Sequence, residues 1–307
     1  GGGQTAPFIA LIDAKGDFIM SQRSRQGTGG FASLPPGGGE QISRKSTMIP
    51  WLGDRKFADI GHIVMQQFTS PPFRICEWAD AAQGGGAKVW MQINHPGRQI
   101  QADMPGVAWS PSATRVELGK NSKRFAHPQA MTARQINDTV NRFATAARRA
   151  EEAGFDGVEI HAAHGYLLSQ FLSPLVNQRT DEWGGTLENR ARLLLDIVRT
   201  VRRVVDPTFT VAVKLNSADF QRGGFDSDDA AQVIAMLAPL GVDVVELSGG
   251  SYEAPAMTGQ GPDDRTLARE AYFLTLAEEL AEASPVPLML TGGVVRRPVA
   301  EQVLASG

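Results

Sequence analysis

The sequence predicts an α/β fold of the TIM (β/α)8 barrel type, and three observations lead to this prediction. From about residue 78 onward, short apolar strands alternate with amphipathic helices, a pattern typical of βαβ units and a parallel sheet. Within the strands, polar residues occupy one parity and gather toward the C-terminal ends, where a TIM barrel has its active site. A doubly wound sheet would be apolar on both faces. The length of 307 residues suffices for one barrel.

Five segments are predicted to be parallel strands, at residues 87–94, 157–161, 210–216, 242–248 and 287–291. Successive residues of a strand point to opposite faces of the sheet. In the second segment, Val158 and Ile160 share one parity, whereas Glu159 and His161 share the other. The first and third segments follow the same rule. We therefore expect the apolar parity to face the helices and the polar parity to face the barrel interior.

Amphipathic helices are predicted between these strands. Residues 133–153 carry apolar side chains at helical spacing, and Thr132 and Gln135 form a capping box at their start. Residues 187–204 repeat the helical spacing. A third helix is predicted to run from its cap residue, Ser227, to residue 240.

Residues 1–76 have a different character from the rest of the chain. They are rich in glycine and contain no recognisable motif, and the short apolar runs at 8–12 and 63–65 are the segments that could form strands there. We therefore expect two parts, a glycine-rich N-terminal segment at 1–76 and a barrel domain at 77–307.

Composition excludes several classes of function. The formal net charge is −3, from 30 Lys and Arg against 33 Asp and Glu, without a dense basic stretch, so no nucleic-acid or membrane partner is indicated. The single cysteine, Cys76, rules out an internal disulfide, a cysteine zinc site and a cluster held by four cysteines of this chain. No apolar run approaches the about 20 residues of a membrane span, and no signal peptide is recognisable. We expect a cytoplasmic protein that acts on a small molecule.

The strongest candidate for chemistry is the segment His161-Ala-Ala-His164-Gly-Tyr166, directly after a predicted strand. Two imidazoles side by side can donate two hydrogen bonds to one oxygen atom, and the phenol beside them can supply a proton. The spacing is not that of a zinc helix and no third ligand is evident, so no metal is expected. The alternative is a structural loop whose histidines bond to backbone carbonyls.

Three further features lie toward the C-terminal ends of predicted strands. Lys214 has inward parity, so either a structural carboxylate or a bound anionic ligand must lie close to it. Gln92 offers a donor and an acceptor to the edge of a heterocycle, although a hydrogen bond within the core would explain it equally well. Gly292 and Gly293 follow the last predicted strand, where the backbone N–H groups of a barrel bind phosphate.

Together these motifs resemble the Old Yellow Enzyme-like FMN-dependent oxidoreductases, the NADH:flavin oxidoreductase/NADH oxidase family. The most specific match lies within residues 154–192, and it includes Gly-Val-Glu-Ile-His, His-Gly-Tyr-Leu-Leu-Ser-Gln-Phe-Leu-Ser-Pro and Asn-Gln-Arg-Thr-Asp-Glu-Trp-Gly-Gly. His95-Pro-Gly-Arg98 and Ser110-Pro-Ser112 fall in the family's order.

The resemblance implies an FMN molecule across the top of the barrel. By analogy, Gln92 would bond the pyrimidine edge of the flavin and Lys214 would lie near N1 and the C2 oxygen. Gly292 and Gly293 would bind the phosphate. NADH or NADPH would reduce the flavin, and homo-oligomers are common in the family.

The resemblance also implies how the second substrate is reduced. His161 and His164 would hold a carbonyl or nitro oxygen, and Tyr166 would protonate the α-carbon of the substrate. The acceptor would then be an activated alkene, a nitro compound or a quinone, as in an ene-reductase.

Set against this family, the barrel is predicted to be incomplete. Strands 3–7 can be assigned, whereas the first two are not recognisable in residues 1–76 and strand 8 is missing. Two other functions therefore stay open beside the leading one. The chain could be an inactive truncated homologue, or a flavin-free phosphate-binding barrel lyase in which Lys214 forms a Schiff base.

Overall fold

The computed structural model of the chain describes residues 8–12, 18–20, 79–80, 83, 88–104, 106–255, 273–292, 294 and 297–305. Within these ranges, nine strands form two sheets. The strands are β1 Phe8–Ile12, β2 Phe18–Met20, β3 Val89–Ile93, β4 Ala108–Ser110, β5 Pro128–Ala130, β6 Gly157–Ala162, β7 Thr210–Asn216, β8 Val244–Ser248 and β9 Leu288–Leu290.

The larger sheet has the strand order β2-β1-β3-β6-β7-β8-β9, and β4 and β5 form a separate parallel pair. All neighbours in the larger sheet are parallel except β2, which is antiparallel to β1. Strands β3, β6, β7, β8 and β9 are the five predicted strands, and they lie side by side in chain order, as successive βα units of a barrel do. The apolar run at 8–12 forms β1, whereas the run at 63–65 lies outside the described residues.

Six α-helices have both ends within the described ranges: α1 Ala133–Glu152, α2 Leu167–Leu172, α3 Leu187–Val204, α4 Ser227–Leu237, α5 Leu274–Ala281 and α6 Arg297–Ala305. Short 3-10 helices occupy Gly97–Gln99, Gly119–Arg124 and Ala238–Leu240. No helix among the described residues combines the length and the apolar character needed to cross a membrane.

The helix starts follow from capping side chains. At α1, the Thr132 hydroxyl accepts from the Gln135 backbone N–H at 3.3 Å, and the Gln135 side chain accepts from the Thr132 N–H at 2.8 Å, so the predicted capping box is confirmed. At α4, the prediction of Ser227 as the cap is wrong. Asp226 has the extended backbone of a cap, and its Oδ1 accepts from the Asp229 N–H at 3.0 Å, because a carboxylate can satisfy a free N–H of the first turn.

The hydrophobic core lies between the sheet and the helices. Helices α1 and α3 pack against each other, and each presents a row of buried apolar side chains. The sheet contributes Val89, Met91, Ile93, Val158, Ile160, Val211, Val213, Leu215, Val245 and Leu247 to the same cluster. Burial of one such side chain stabilises a fold by about 1.5–3 kcal/mol. The apolar parity of the strands therefore contributes much of the free energy that holds the helices against the sheet.

The other parity of the strands is polar and buried as well. Its members are Gln92, Glu159, His161, Lys214, Asn216, Glu246 and Ser248. The register of the parallel strands sets His161 beside Lys214 and Lys214 beside Glu246, and it sets Asn216 beside Ser248. The period-two alternation therefore brings polar groups from three neighbouring strands together at their C-terminal ends.

We expect substitution of Thr132 by alanine to lower the free energy of unfolding by about 1 kcal/mol, since α1 loses one half of its capping box. Thr145→Ala is the matched control. The hydroxyl of Thr145 only bonds back to the Asn141 carbonyl within α1, and alanine has the higher helix propensity. Urea denaturation of the three proteins measures the difference. A Thr132→Ala protein as stable as the wild type would contradict the role of the box.

Candidate active site

The predicted catalytic side chains lie together at the end of β6. His161 is on the inward parity of β6, and the chain then turns through His164 and Gly165 in left-handed conformations, with φ of 59° and 72°. The rings of His161 and His164 meet edge to face at 5.1 Å between centroids, and those of His161 and Tyr166 at 4.9 Å. Because Tyr166 directly precedes α2, the turn and the helix start fix all three rings in one place.

A residue that sequence reasoning did not single out holds this turn in place. The Asn216 Oδ1 accepts from the backbone N–H of His164 at 3.0 Å, and the Asn216 Nδ2 donates to Asp219 Oδ1 and to the Gly250 carbonyl, each at 3.0 Å. A non-glycine residue at positive φ is strained, and these bonds stabilise it. Asn216 thus joins the loops that follow β6, β7 and β8. The feature of the sequence that could have identified Asn216 is its position on the inward-facing parity at the end of β7.

Both histidines are neutral at physiological pH. Burial, followed by the nearby His164 and Lys214, holds the pKa of His161 well below its ordinary value. Burial, followed by the charge of Lys214, lowers the pKa of His164 to about 3. The Nδ1 of His161 accepts from the Ala163 N–H at 3.1 Å, so the proton of this neutral ring lies on Nε2. The Nε2 of His164 bonds to Ser248 Oγ at 2.6 Å.

A second polar cluster lies beside the histidines, inside the barrel. The Nζ of Lys214 donates to Glu246 Oε1 at 2.6 Å, and the Nε2 of Gln92 donates to Glu159 Oε2. Lys214 is 4% exposed and Glu246 is 2% exposed. A structural carboxylate, Glu246, therefore lies beside Lys214, and a bound anionic ligand at Lys214 stays a prediction.

The charges of this cluster follow from its contacts. Burial alone would lower the pKa of Lys214, but the carboxyl groups of Glu246 and Glu159 raise it above the ordinary value. Lys214 is therefore an ammonium ion at neutral pH. A Schiff-base lysine needs a neutral amine, so this pairing argues against the lyase alternative.

The end of β9 lies close to this cluster. The Thr291 N–H donates to the Leu247 carbonyl at 3.2 Å, and Thr291 contributes to lowering the pKa of Glu246. Gly292 follows with a φ of 98°, a conformation that glycine adopts without strain. Gly293 lies outside the described residues, so the predicted phosphate site is placed only as far as Gly292.

A buried ion pair fixes the loops around the site. Arg98 pairs with Glu253, and their side chains are 5% and 12% exposed. The Arg98 guanidinium also donates to the Arg115 carbonyl at 2.5 Å, and Glu253 Oε1 accepts from the Glu117 N–H at 2.8 Å. The loops after β3 and β8 and the segment that follows β4 are therefore held to one another.

Comparison with known proteins identifies the family. Residues 75–307 match the NADH:flavin oxidoreductase / NADH oxidase family. The chain belongs to this family, so the resemblance predicted from its motifs is confirmed.

Two relatives and one solved structure illustrate the match. The chain is 39% identical over 216 residues to the NADH-dependent flavin oxidoreductase nadA of Aspergillus parasiticus, covering 70% of this chain and 49% of the relative. It is 35% identical over 231 residues to an NADPH dehydrogenase of Halalkalibacterium halodurans, covering 75% and 62%. The old yellow enzyme homologue from Zymomonas mobilis superposes with a TM-score of 0.61 at 26% identity, covering 76% and 64%. The barrel fold class is thereby confirmed, and the chain spans about half to two thirds of these proteins.

The polar cluster fits the flavin cofactor that this family uses. The Oε1 of Gln92 is buried and has no donor among the described residues, and the pyrimidine ring of a flavin carries an N–H that could supply one. Lys214 uses one of its three N–H donors on Glu246, which leaves donors for a flavin nitrogen or oxygen. An unsatisfied acceptor and an available cation on the inward-facing parity of the same sheet are what the pyrimidine edge of FMN would require.

We expect the protein to lose stability as the pH falls from about 6.5 toward 3, in part because of His164. A histidine with a lowered folded-state pKa binds more protons when unfolded, so its contribution is present above pH 6.5 and disappears below it. With a folded-state pKa of about 3, this contribution changes by about 2 kcal/mol between pH 7.5 and 5.0.

The measurement is urea denaturation of the flavin-free protein at both pH values. His164→Asn removes the titrating ring, so the variant should lose about 2 kcal/mol less than the wild type over this interval. His127→Asn, at an exposed position, is the control for the exchange of a histidine for asparagine. Equal pH dependence in the wild type and His164→Asn would show that His164 titrates as an ordinary histidine.

Proposed function

We propose that this chain is the FMN-binding barrel of an oxidoreductase that uses NADH or NADPH and reduces an activated alkene, a nitro compound or a quinone. Bound FMN would supply the hydride chemistry, taking hydride from the nicotinamide and passing it to the second substrate. The observation that carries the proposal is the buried, unsatisfied Oε1 of Gln92 on the same inward-facing parity of the sheet as the cation of Lys214, at the strand ends that also bear two neutral imidazoles.

The two imidazoles are suited to bind a substrate oxygen. His161 presents Nε2–H, because its Nδ1 already accepts a bond from Ala163. If the Ser248 hydroxyl donates to Nε2 of His164, the proton of that ring lies on Nδ1, and it becomes a second donor. Two neutral donors polarise a carbonyl or nitro group and leave the substrate proton to another residue.

Tyr166 is the residue proposed to protonate the substrate. Its ring contacts that of His161 at nearly a right angle, so the phenol lies beside the group that would bind the substrate oxygen. A positioned general acid of this kind contributes about 10²–10⁴-fold to a rate. Binding of the substrate oxygen thus falls to His161 and His164, and proton transfer falls to Tyr166.

FMN binding tests the proposal directly. We expect the purified full chain to form a stoichiometric yellow complex with FMN that NADH or NADPH bleaches. Gln92→Leu removes the unsatisfied acceptor and should weaken FMN binding about tenfold, the effect of one hydrogen bond of about 1–1.5 kcal/mol. Gln129→Leu is the matched control, because Gln129 is exposed on β5. A chain that stays colourless with added FMN would favour the inactive homologue instead.

Separating the two half-reactions tests the role of Tyr166. In Tyr166→Phe, flavin reduction by the nicotinamide should keep its rate, whereas reoxidation by an activated alkene should slow about 10²-fold or more, because carbon protonation loses its acid. Reoxidation by ferricyanide needs no carbon protonation and should not change. Tyr252→Phe is the control, since Tyr252 is exposed and packs on Phe125. Stopped-flow absorbance resolves the steps, and equal alkene rates in both variants would remove Tyr166 from the mechanism.

A further inference from the structure

Within the described part of the chain, the barrel interior holds two carboxyl groups and a single ammonium group in one cluster. Glu159, Glu246 and Lys214 are 0%, 2% and 4% exposed. Lys214 and Glu246 are register neighbours on β7 and β8, and Glu159 points inward from β6, two residues before His161. If all three groups were charged, one negative charge would be buried without a partner, which is costly in a low-dielectric interior.

The hydrogen bonds of the two carboxyl groups show where a proton is needed. Glu159 Oε2 accepts from Gln92, and Glu246 Oε1 accepts from Lys214 at 2.6 Å. The other two oxygens, Glu159 Oε1 and Glu246 Oε2, are buried and have no donor within the described part of the chain. The charge of Glu246 raises the pKa of Glu159, and both carboxyl groups belong to the cluster around Lys214. Carboxylates can only accept, so a proton on one of them supplies a donor that these oxygens lack.

We propose that Glu159 and Glu246 share one proton and act together as a single negative counter-ion of Lys214. One proton neutralises the excess charge and supplies the missing donor between the two unsatisfied oxygens. Two carboxyl groups that interact electrostatically commonly titrate in separate steps for this reason.

The surroundings of the pair agree with this charge state. Burial, followed by the charge of Glu246, raises the pKa of Glu159 well above its ordinary value. Burial would also raise the pKa of Glu246, but the charge of Lys214 and the hydrogen bond from Lys214 lower it below the ordinary value. The proton therefore resides mainly on Glu159. Among the described residues, the other titratable groups that face the cluster are His161 and His164, both neutral. Strand β3 contributes the uncharged Gln92, and the register partner of Glu246 on β9 is Met289.

The pair makes Glu159 and Glu246 positioning residues for the groups that would meet the cofactor. Glu159 accepts the hydrogen bond of the Gln92 amide N–H, which leaves the amide oxygen of Gln92 unused as an acceptor. Glu246 orients the Lys214 ammonium group. Since either carboxyl group can carry the negative charge, Lys214 keeps a counter-ion when one of them is removed. The effect on a bound flavin rests on the proposed function, whereas the shared proton is a property of the folded chain itself.

Infrared spectroscopy of the full chain without flavin tests the shared proton. The protein is labelled with 13C at the glutamate side-chain carboxyl group, which distinguishes glutamate from the buried Asp219. At pH 7 we expect a protonated carboxyl C=O band that shifts with the label and in D2O. The band should be absent from Glu159→Gln and from Glu246→Gln, because the remaining carboxyl group ionises to pair with Lys214.

Glu253→Gln is the matched control, since Glu253 is also largely buried but forms its ion pair with Arg98, outside the cluster, and it should keep the band. A wild-type protein without the band would overturn the proposal, and this measurement needs no variant to fold. A band that persists in Glu246→Gln would also overturn it, because Glu159 would then be protonated without sharing.

The midpoint potential of bound FMN tests the common counter-ion. The two single substitutions should each leave the potential close to that of the wild type, whereas the double substitution Glu159→Gln/Glu246→Gln should shift it to a more positive value. An unpaired Lys214 would favour the more negative, reduced state of the cofactor. The proposal would be contradicted if each single substitution shifted the midpoint potential as much as the double substitution does. It would also be contradicted if the double substitution left the midpoint potential unchanged. If the chain binds no FMN, the proposed function fails while the infrared result still decides on the shared proton.

Discussion

The ion pair between Lys214 and Glu246 is the interaction on which the rest of the site depends. An ammonium ion inside a barrel is tolerated only with a partner of opposite charge and with its hydrogen bonds made. Once this cation is fixed, its charge contributes to lowering the pKa of His161 and His164, so a cationic group and two neutral donors occur side by side. Lys214 is thus charged and the two histidines beside it are neutral because all three are buried and the strand register brings them together.

Strand register also explains why so many polar groups share this interior without disrupting the fold. The apolar parity of the same strands faces α1 and α3 and forms the core, so burial of the polar parity takes nothing away from helix packing. A slip of one residue in β7 would place Lys214 under the helices and Val213 inside the barrel. The hydrophobic effect and the ion pair therefore favour the same register.

Local patterns in the sequence predicted the helices and strands well. They could not predict which residues from distant segments of the chain contact each other. The capping box of Thr132 and the alternation around Glu159 are encoded within a few residues, so α1 and β6 could be predicted almost to their ends. Asp226 rather than Ser227 caps α4, because two adjacent residues can both cap and only the backbone conformation decides. The inward parity of Lys214 predicted a partner but did not identify Glu246, which lies 32 residues away, and the bond from Asn216 to His164 spans 52 residues.

In the loops around the site, the residues that bond to each other lie farther apart along the chain than those in the interior of the site. The groups contributed by β6, β7 and β8 come from three successive βα units, so they can assemble as soon as those units have been synthesised. The bond between Arg98 and Glu253 spans 155 residues, and it can form only after the units between them have folded. The chemistry of the site is therefore expected to be organised early on the ribosome, and the rim that encloses it to be closed late.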